Sequence, residues 1–303
     1  MKEQLPMITN GPTLFERALV EARRRTLRGF KRMIRPIWMR RLARRNEECR
    51  ESLLDPAGPA LSLTTYGKRL AGVHYAIESI GDGSCRPSRL LLCIDQTLLD
   101  KGLTPGLQRL QARGLEVHGC VDVGPHTKYF HAMNTLPRDR PLVTADDDIL
   151  YQRDWLSSLV AAWKAHPDLV NCHRAEVITF DGEGALAPSS TWPPSPSTRP
   201  SFRNLLTGVG GVIHPPAMQE AVVSAGDAFM ACCPRNDDIW LCAVALRAGI
   251  RTRQTTPYHP VLFELPGTRA DGLARHNVQA DGNATQLRAT VSTEELAFLR
   301  QLD

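Results

Sequence analysis

The chain has 303 residues, 42% hydrophobic and 23% charged, which are ordinary globular values. That length buries a sizeable core, either as one large α/β domain with a tail or as two small domains. The formal net charge of +5 is unevenly spread: residues 14–45 hold twelve Arg or Lys (Arg17, Arg23, Arg24, Arg25, Arg28, Lys31, Arg32, Arg35, Arg40, Arg41, Arg44, Arg45) against Glu16 and Glu21, a net of +10 that leaves −5 elsewhere.

Eight cysteines are present, without a C-x-x-C pair. Cys232 and Cys233 are adjacent, and Cys93, Cys120, Cys172 and Cys242 lie in apolar runs, where Cys behaves as a small hydrophobe. A reduced, cytoplasmic chain is expected. No apolar run resembles a signal peptide or a bilayer span, so a soluble or peripherally bound protein is expected.

In chain order, residues 1–13 read as a disordered start. Residues 14–50 read as helical, broken into at least two pieces by Gly29 and Pro36. Asp55-Pro56-Ala57-Gly58-Pro59 is a linker signal. From residue 60 strands alternate with helices: strand 60–65, helix 69–80 ended by Gly81-Asp82-Gly83, strand 89–94, helix around 107–112, strand 115–121, helix 129–133, strand 142–145. Helix 155–163, strand 169–173 and strand 251–256 follow. Alternation of this kind predicts a mostly parallel sheet with helices on both faces.

Residues 187–200, rich in Pro and Ser, predict a long mobile loop. Residues 206–213 contain Gly208, Gly210 and Gly211, a stretch where something approaches the backbone closely. Helix 236–248 is expected to be capped by Asn236 and closed by Gly249. No internal repeat is present. The organisation expected is a basic helical arm and linker over 1–57 and an α/β domain over 58–303.

The most informative motif is Asp146-Asp147-Asp148, at the end of the apolar run Pro141-Leu142-Val143-Thr144-Ala145. Three adjacent carboxylates at a buried strand end repel one another, and clustered hard oxygens suit Mg²⁺ or Mn²⁺. Ligands of open α/β sheets collect at the carboxyl ends of strands. The plain alternative is a solvated acidic turn.

A set of motifs in order resembles bacterial glycosyltransferases of the GT-A fold, similar to glycosyltransferase family 2. They are Ser62-Leu63-Thr64-Thr65-Tyr66-Gly67-Lys68-Arg69, Gly124-Pro125-His126-Thr127-Lys128-Tyr129-Phe130, Thr144-Ala145-Asp146-Asp147-Asp148, Gly208-Val209-Gly210-Gly211-Val212 and Asn236-Asp237-Asp238-Ile239-Trp240-Leu241. The resemblance covers roughly residues 60–290 and not the basic arm. It implies a Rossmann-like GT-A sheet in which Asp146 and Asp148 bind a divalent metal, with Asp146 and Asp147 on the nucleotide-sugar side. The triplet departs from the usual family spacing. Asp237-Asp238 corresponds to the acidic pair that supplies the catalytic base, with Asp238 at the base position. Two acids behind an Asn cap are also what a helix dipole favours.

Thr64, Thr65 and Tyr66, with Arg69 beyond them, fall where the family cradles the nucleotide. Lys128 falls where a cation pairs with a phosphate or with the aspartates, and His126 lies in the same segment. A late histidine often joins the metal; of His214, His259 and His276, the preferred one is His259. Trp192, in the 187–200 loop, is a candidate sugar-stacking platform on a closing lid.

The basic arm has three readings: an anionic-lipid surface, a nucleic-acid arm, or a solvated helix. Phe30, Ile34 and Trp38 among the arginines favour lipid over nucleic acid. The resemblance implies a metal-dependent, inverting transferase that uses a nucleoside-diphosphate sugar and a hydroxyl of a glycan or lipid-linked carbohydrate; the expected location is cytoplasmic, or peripheral on the inner membrane face where the basic arm meets lipid. The rivals are a nucleotidyltransferase, which lacks its Gly-rich phosphate loop here, and a catalytically dead sugar-nucleotide domain.

Overall fold

The computed structural model describes residues 14–268 and 282–302. The chain divides into two compact units, Met1–Arg44 and Arg45–Asp303.

Helix α1 (Leu14–Glu48) is the described part of the first unit, and its last four residues are counted with the second. It runs through Gly29 and Pro36 without interruption, against the expectation of two pieces. A mid-helix Pro costs about 3 kcal/mol and a Gly about 1. The surrounding Arg, Leu, Met and Ala are strong helix formers that offset both. In the second unit, residues 45–57 contribute to the interior. Asn46 donates to the fully buried Glu78 at 3.0 Å, Leu53 is fully buried, and Arg45 and Arg113 pair with the same Glu78. A buried carboxylate survives only with such partners.

The second unit is a mixed α/β domain. Its strands are β1 (Ala60–Thr64), β2 (Arg89–Asp95), β3 (Leu115–Cys120), β4 (Leu142–Ala145), β5 (Ile149–Leu150), β6 (Val170–Cys172), β7 (Ala175–Val177), β8 (Asn204–Leu206), β9 (Val212–His214), β10 (Thr252–Gln254) and β11 (Phe263–Glu264). Seven of them form the main sheet in the order β10-β6-β9-β4-β1-β2-β3. Only β9 runs antiparallel to its neighbours. β5 with β11, and β7 with β8, make two small antiparallel pairs.

The predicted class, a mostly parallel sheet covered on both faces, is the one observed. Its physical basis is visible in β2, where Leu90, Leu92 and Ile94 belong to one core cluster and Leu91 and Cys93 to the other. Period-two alternation with apolar residues on both sides requires cover on both sides. α2 (Val73–Gly81), α4 (Pro105–Gln111) and α6 (Trp155–Ala165) cover one face; α5 (Thr127–Thr135), α7 (Pro216–Ala225) and α9 (Asp237–Arg247) cover the other, and α3 (Gln96–Leu99) and α8 (Phe229–Cys232) are single turns. The predicted helix 69–80 opens instead as a 3₁₀ turn, Gly67–Ala71, before α2.

The loop 187–200 is a correction. It contains a 3₁₀ turn, Ser189–Thr191, and a bridge from Pro194 to Glu176. Trp192 is 5% exposed, its indole N–H donating to the Ala187 carbonyl at 3.0 Å. Trp192 therefore belongs to the core and presents no face to a sugar. Prolines make such packing cheap, because they narrow the unfolded ensemble that must be ordered.

Candidate active site

In chain order the sheet runs outward from β1 to β2 and β3, then returns to the other side of β1 as β4. The carboxyl ends of β1 and β4 thus flank a topological switch point, where open α/β sheets leave a crevice. A pocket of about 360 Å³ lies there. Each parallel strand around it delivers a polar residue: Thr64 from the end of β1 and Thr65 just beyond it, Asp95 from β2, Asp122 just beyond β3, and Asp146 and Asp147 beyond β4. Tyr66, Arg69, Lys128 and Asp237 complete the predicted residues on its wall.

Asp95 and Asp122 escaped the sequence reading. Asp95 caps the next turn through Thr97 N–H at 2.9 Å, and Asp122 accepts from Gly124 N–H at 2.8 Å. Their signal was a carboxylate at a parallel strand's carboxyl end, which only strand order makes meaningful.

The triplet is partnered residue by residue. Asp146 accepts from Lys128 Nζ at 2.9 Å and from Gly210 N–H at 3.4 Å. Asp147 accepts from Thr65 Oγ1 at 2.6 Å and from Arg69 at 2.8 Å. Asp148 pairs with Arg69 at 3.2 Å and does not line the pocket. Burial raises the Asp147 carboxyl above the usual range despite Thr65 and Arg69. Burial, then the Asp146 charge, pushes Asp148 up to about 6. Burial opposes the charge on Arg69, but Asp147 and Asp148 outweigh it and raise its pKa. Arg69 also lies over the Tyr66 ring at 5.0 Å. Thr64 lines the pocket with its hydroxyl already donated to the Cys93 carbonyl, at 2.7 Å.

Lys128, in the first turn of α5, joins the two acidic motifs. Its Nζ lies 2.9 Å from Asp146 and 3.5 Å from Asp237. Burial opposes this charge too, yet Asp146, Asp237 and Asp238 hold its pKa well above the ordinary lysine value. Asn236 caps α9 as expected, accepting from Ile239 N–H at 3.1 Å. The two acids behind it are used elsewhere. Asp237 faces the pocket and Lys128, while Asp238 accepts from Gly208 N–H at 2.7 Å. Burial first, then the Asp237 charge, raises the Asp238 carboxyl well above the usual range.

The glycine stretch is approached by the protein itself. A Cβ on Gly208 would stand 3.0 Å from Lys128 Nζ and 3.1 Å from Asp238 Oδ1. Gly211 has φ +103°, and a Cβ there would fall 2.6 Å from the Trp155 ring.

None of the described histidines lines this pocket. His259 Nε2 lies 3.0 Å from the Ala175 carbonyl, so the preferred metal histidine is spent on backbone and lines no part of the pocket. His214 is fully buried beside Thr144 at 3.3 Å; burial, then Lys128, presses its pKa down to about 3. His126 bridges Tyr129 OH and the Cys233 carbonyl, both at 2.8 Å, and stacks on Phe229. His276 lies outside the described residues.

Among the described residues, no group of three or more His, Cys, Asp or Glu is set to hold an ion. The donor chemistry nevertheless suits one. Among the described residues, Asp147 and Asp148 pair with Arg69, and Asp146 and Asp237 with Lys128, whose charge Asp238 also supports, so five acids share these two cations. Mg²⁺ and Mn²⁺ are commonly held by one or two carboxylates together with substrate phosphates.

Fold and site together define an α/β protein with an acidic, cation-bridged pocket at the topological switch point of its sheet. No protein-family model matches the sequence, and neither does any curated protein. Among solved structures the chain is similar to S. aureus TarS 1–349 (TM-score 0.42, 13% identity, 64% of this chain and 57% of that one). It thus spans little more than half the length of that chain. It is also similar to the mannosyltransferase PcManGT from Pyrobaculum calidifontis in complex with GDP-Man and Mn²⁺ (TM-score 0.47, 15% identity, 91% of this chain and 78% of that one).

Proposed function

We propose that this chain is a GT-A glycosyltransferase. It moves a sugar from a nucleoside-diphosphate donor to a hydroxyl of a glycan or lipid-linked carbohydrate, with inversion. The observation that carries this reading is Lys128, which draws Asp146 and Asp237, about ninety residues apart in sequence, to one pocket at the switch point.

In this reading Arg69 and Thr65 fix Asp147 at the floor of the nucleotide site, and Lys128 places positive charge where the diphosphate leaves. Asp146 and Asp148 would hold the divalent ion, which supplies Lewis-acid neutralisation of that leaving group. The acceptor oxygen attacks the anomeric carbon as the bond to the diphosphate breaks, and its proton passes to Asp238. A carboxyl with raised proton affinity suits a general base, and Asp237, held by Lys128, raises it further.

Thermal shift and calorimetry of nucleoside diphosphates with and without Mn²⁺ test the donor site. Sugar-nucleotide hydrolysis or transfer tests the chemistry. Metal-dependent nucleoside-diphosphate binding with sugar release is the expected result. Binding without sugar release would favour a catalytically dead domain. Nucleoside-triphosphate turnover with pyrophosphate release would favour a nucleotidyltransferase.

A further inference from the structure

We infer that the exposed face of α1 is a docking surface for an anionic phospholipid bilayer. The inference rests on α1 alone and not on the transferase reading. Phe30, Met33 and Ile37 are 50%, 70% and 63% exposed. Their spacing of three and four residues sets them on one helix face. Arg40 and Arg44, both exposed, continue that face, and exposed Arg41 flanks it. No acidic residue occurs from Ala22 to Asn46.

Three bulky apolar side chains continued by arginines on one face match an interface of two layers, acyl chains below and phosphate headgroups above. A helix of this kind lies in the interface plane with its apolar residues sunk about 5–10 Å. Arginine stems reach outward so that the guanidinium groups stay at headgroup level. A nucleic-acid backbone would use the arginines but leave the apolar face against phosphates and water. A second copy of the chain would bring two strongly basic segments together, which repel.

The test is co-sedimentation of the full chain with vesicles of phosphatidylcholine alone and of phosphatidylcholine mixed with phosphatidylglycerol. Binding is expected only with phosphatidylglycerol, and weaker at high salt. Arg40→Gln with Arg44→Gln should lower the affinity about thirtyfold, two charges at about 1 kcal/mol each. Met33→Gln with Ile37→Gln should remove the part of binding that survives salt. Both variants are surface changes, and far-ultraviolet circular dichroism should show an unchanged helix.

Four results would overturn the inference. They are absence of binding to phosphatidylglycerol vesicles, equal binding to both vesicle types, vesicle binding that neither double variant alters, and duplex DNA or RNA binding stronger than vesicle binding and indifferent to Met33 and Ile37. Light scattering that reports a dimer lost in Met33→Gln with Ile37→Gln would assign the face to a second copy and overturn it too.

Discussion

The acidic pair on α9 gives the most discriminating experiment, the change Asp238→Asn. Asp238 Oδ1 accepts the Gly208 N–H at 2.7 Å, and an asparagine Oδ1 keeps that bond. The substitution removes a buried negative charge beside Asp237. Its sign on stability follows from the raised carboxyl. An acid whose folded pKa lies above its unfolded value gives stability that is present below the unfolded pKa. That stability is lost as pH rises through the folded pKa. The asparagine cannot ionise, so the variant should melt at or above wild type at neutral pH and lose that advantage near pH 3.

Donor affinity should hold, while turnover falls about a hundredfold or more, equivalent to about 2.7 kcal/mol of barrier. Asp238→Ala is the control: it leaves the Gly208 N–H without an acceptor, which costs about 1–3 kcal/mol of stability in addition. Steady-state transfer, calorimetry of the nucleoside diphosphate and melts across pH separate these effects. An Asp238→Asn protein with full turnover would refute the base assignment and move it to Asp237, the member of the pair on the pocket wall.

Lys128→Met should destabilise the fold by about 3–5 kcal/mol in urea titration, because Asp146 and Asp237 lose a buried counter-charge; Lys128→Arg should recover part of it. Trp192→Ala should cost about 3–5 kcal/mol of stability and leave nucleoside-diphosphate affinity unchanged, whereas a lost affinity with intact stability would restore the lid role. Asp148→Asn should weaken Mn²⁺-dependent nucleotide binding in calorimetry. At neutral pH it should also stabilise the metal-free protein, since its carboxyl is pushed up to about 6 and the charged form is disfavoured above that pH.

Period-two and helical patterns from Ala60 to Ala145 determined the class of sheet in advance, because each strand's burial is written in its own few residues. The same holds for the Asn236 cap and for the strand end that carries Asp146. Local pattern also misled. Pro36 suggested a break that a long run of good helix formers overrides, and the Pro-Ser composition of 187–200 concealed a buried Trp192.

What no local pattern held was partnership across the sheet. Asp95 and Asp122 become pocket walls only because β2 and β3 lie beside β1 in parallel. His259 lost its place at the aspartates to the Ala175 carbonyl, 84 residues away. Lys128 is an ordinary lysine by spacing, and becomes the bridge between Asp146 and Asp237 only when α5 and α9 pack on one face of the sheet. Burial and charge compensation are properties of neighbours in space, and chain order alone does not say which neighbours those are.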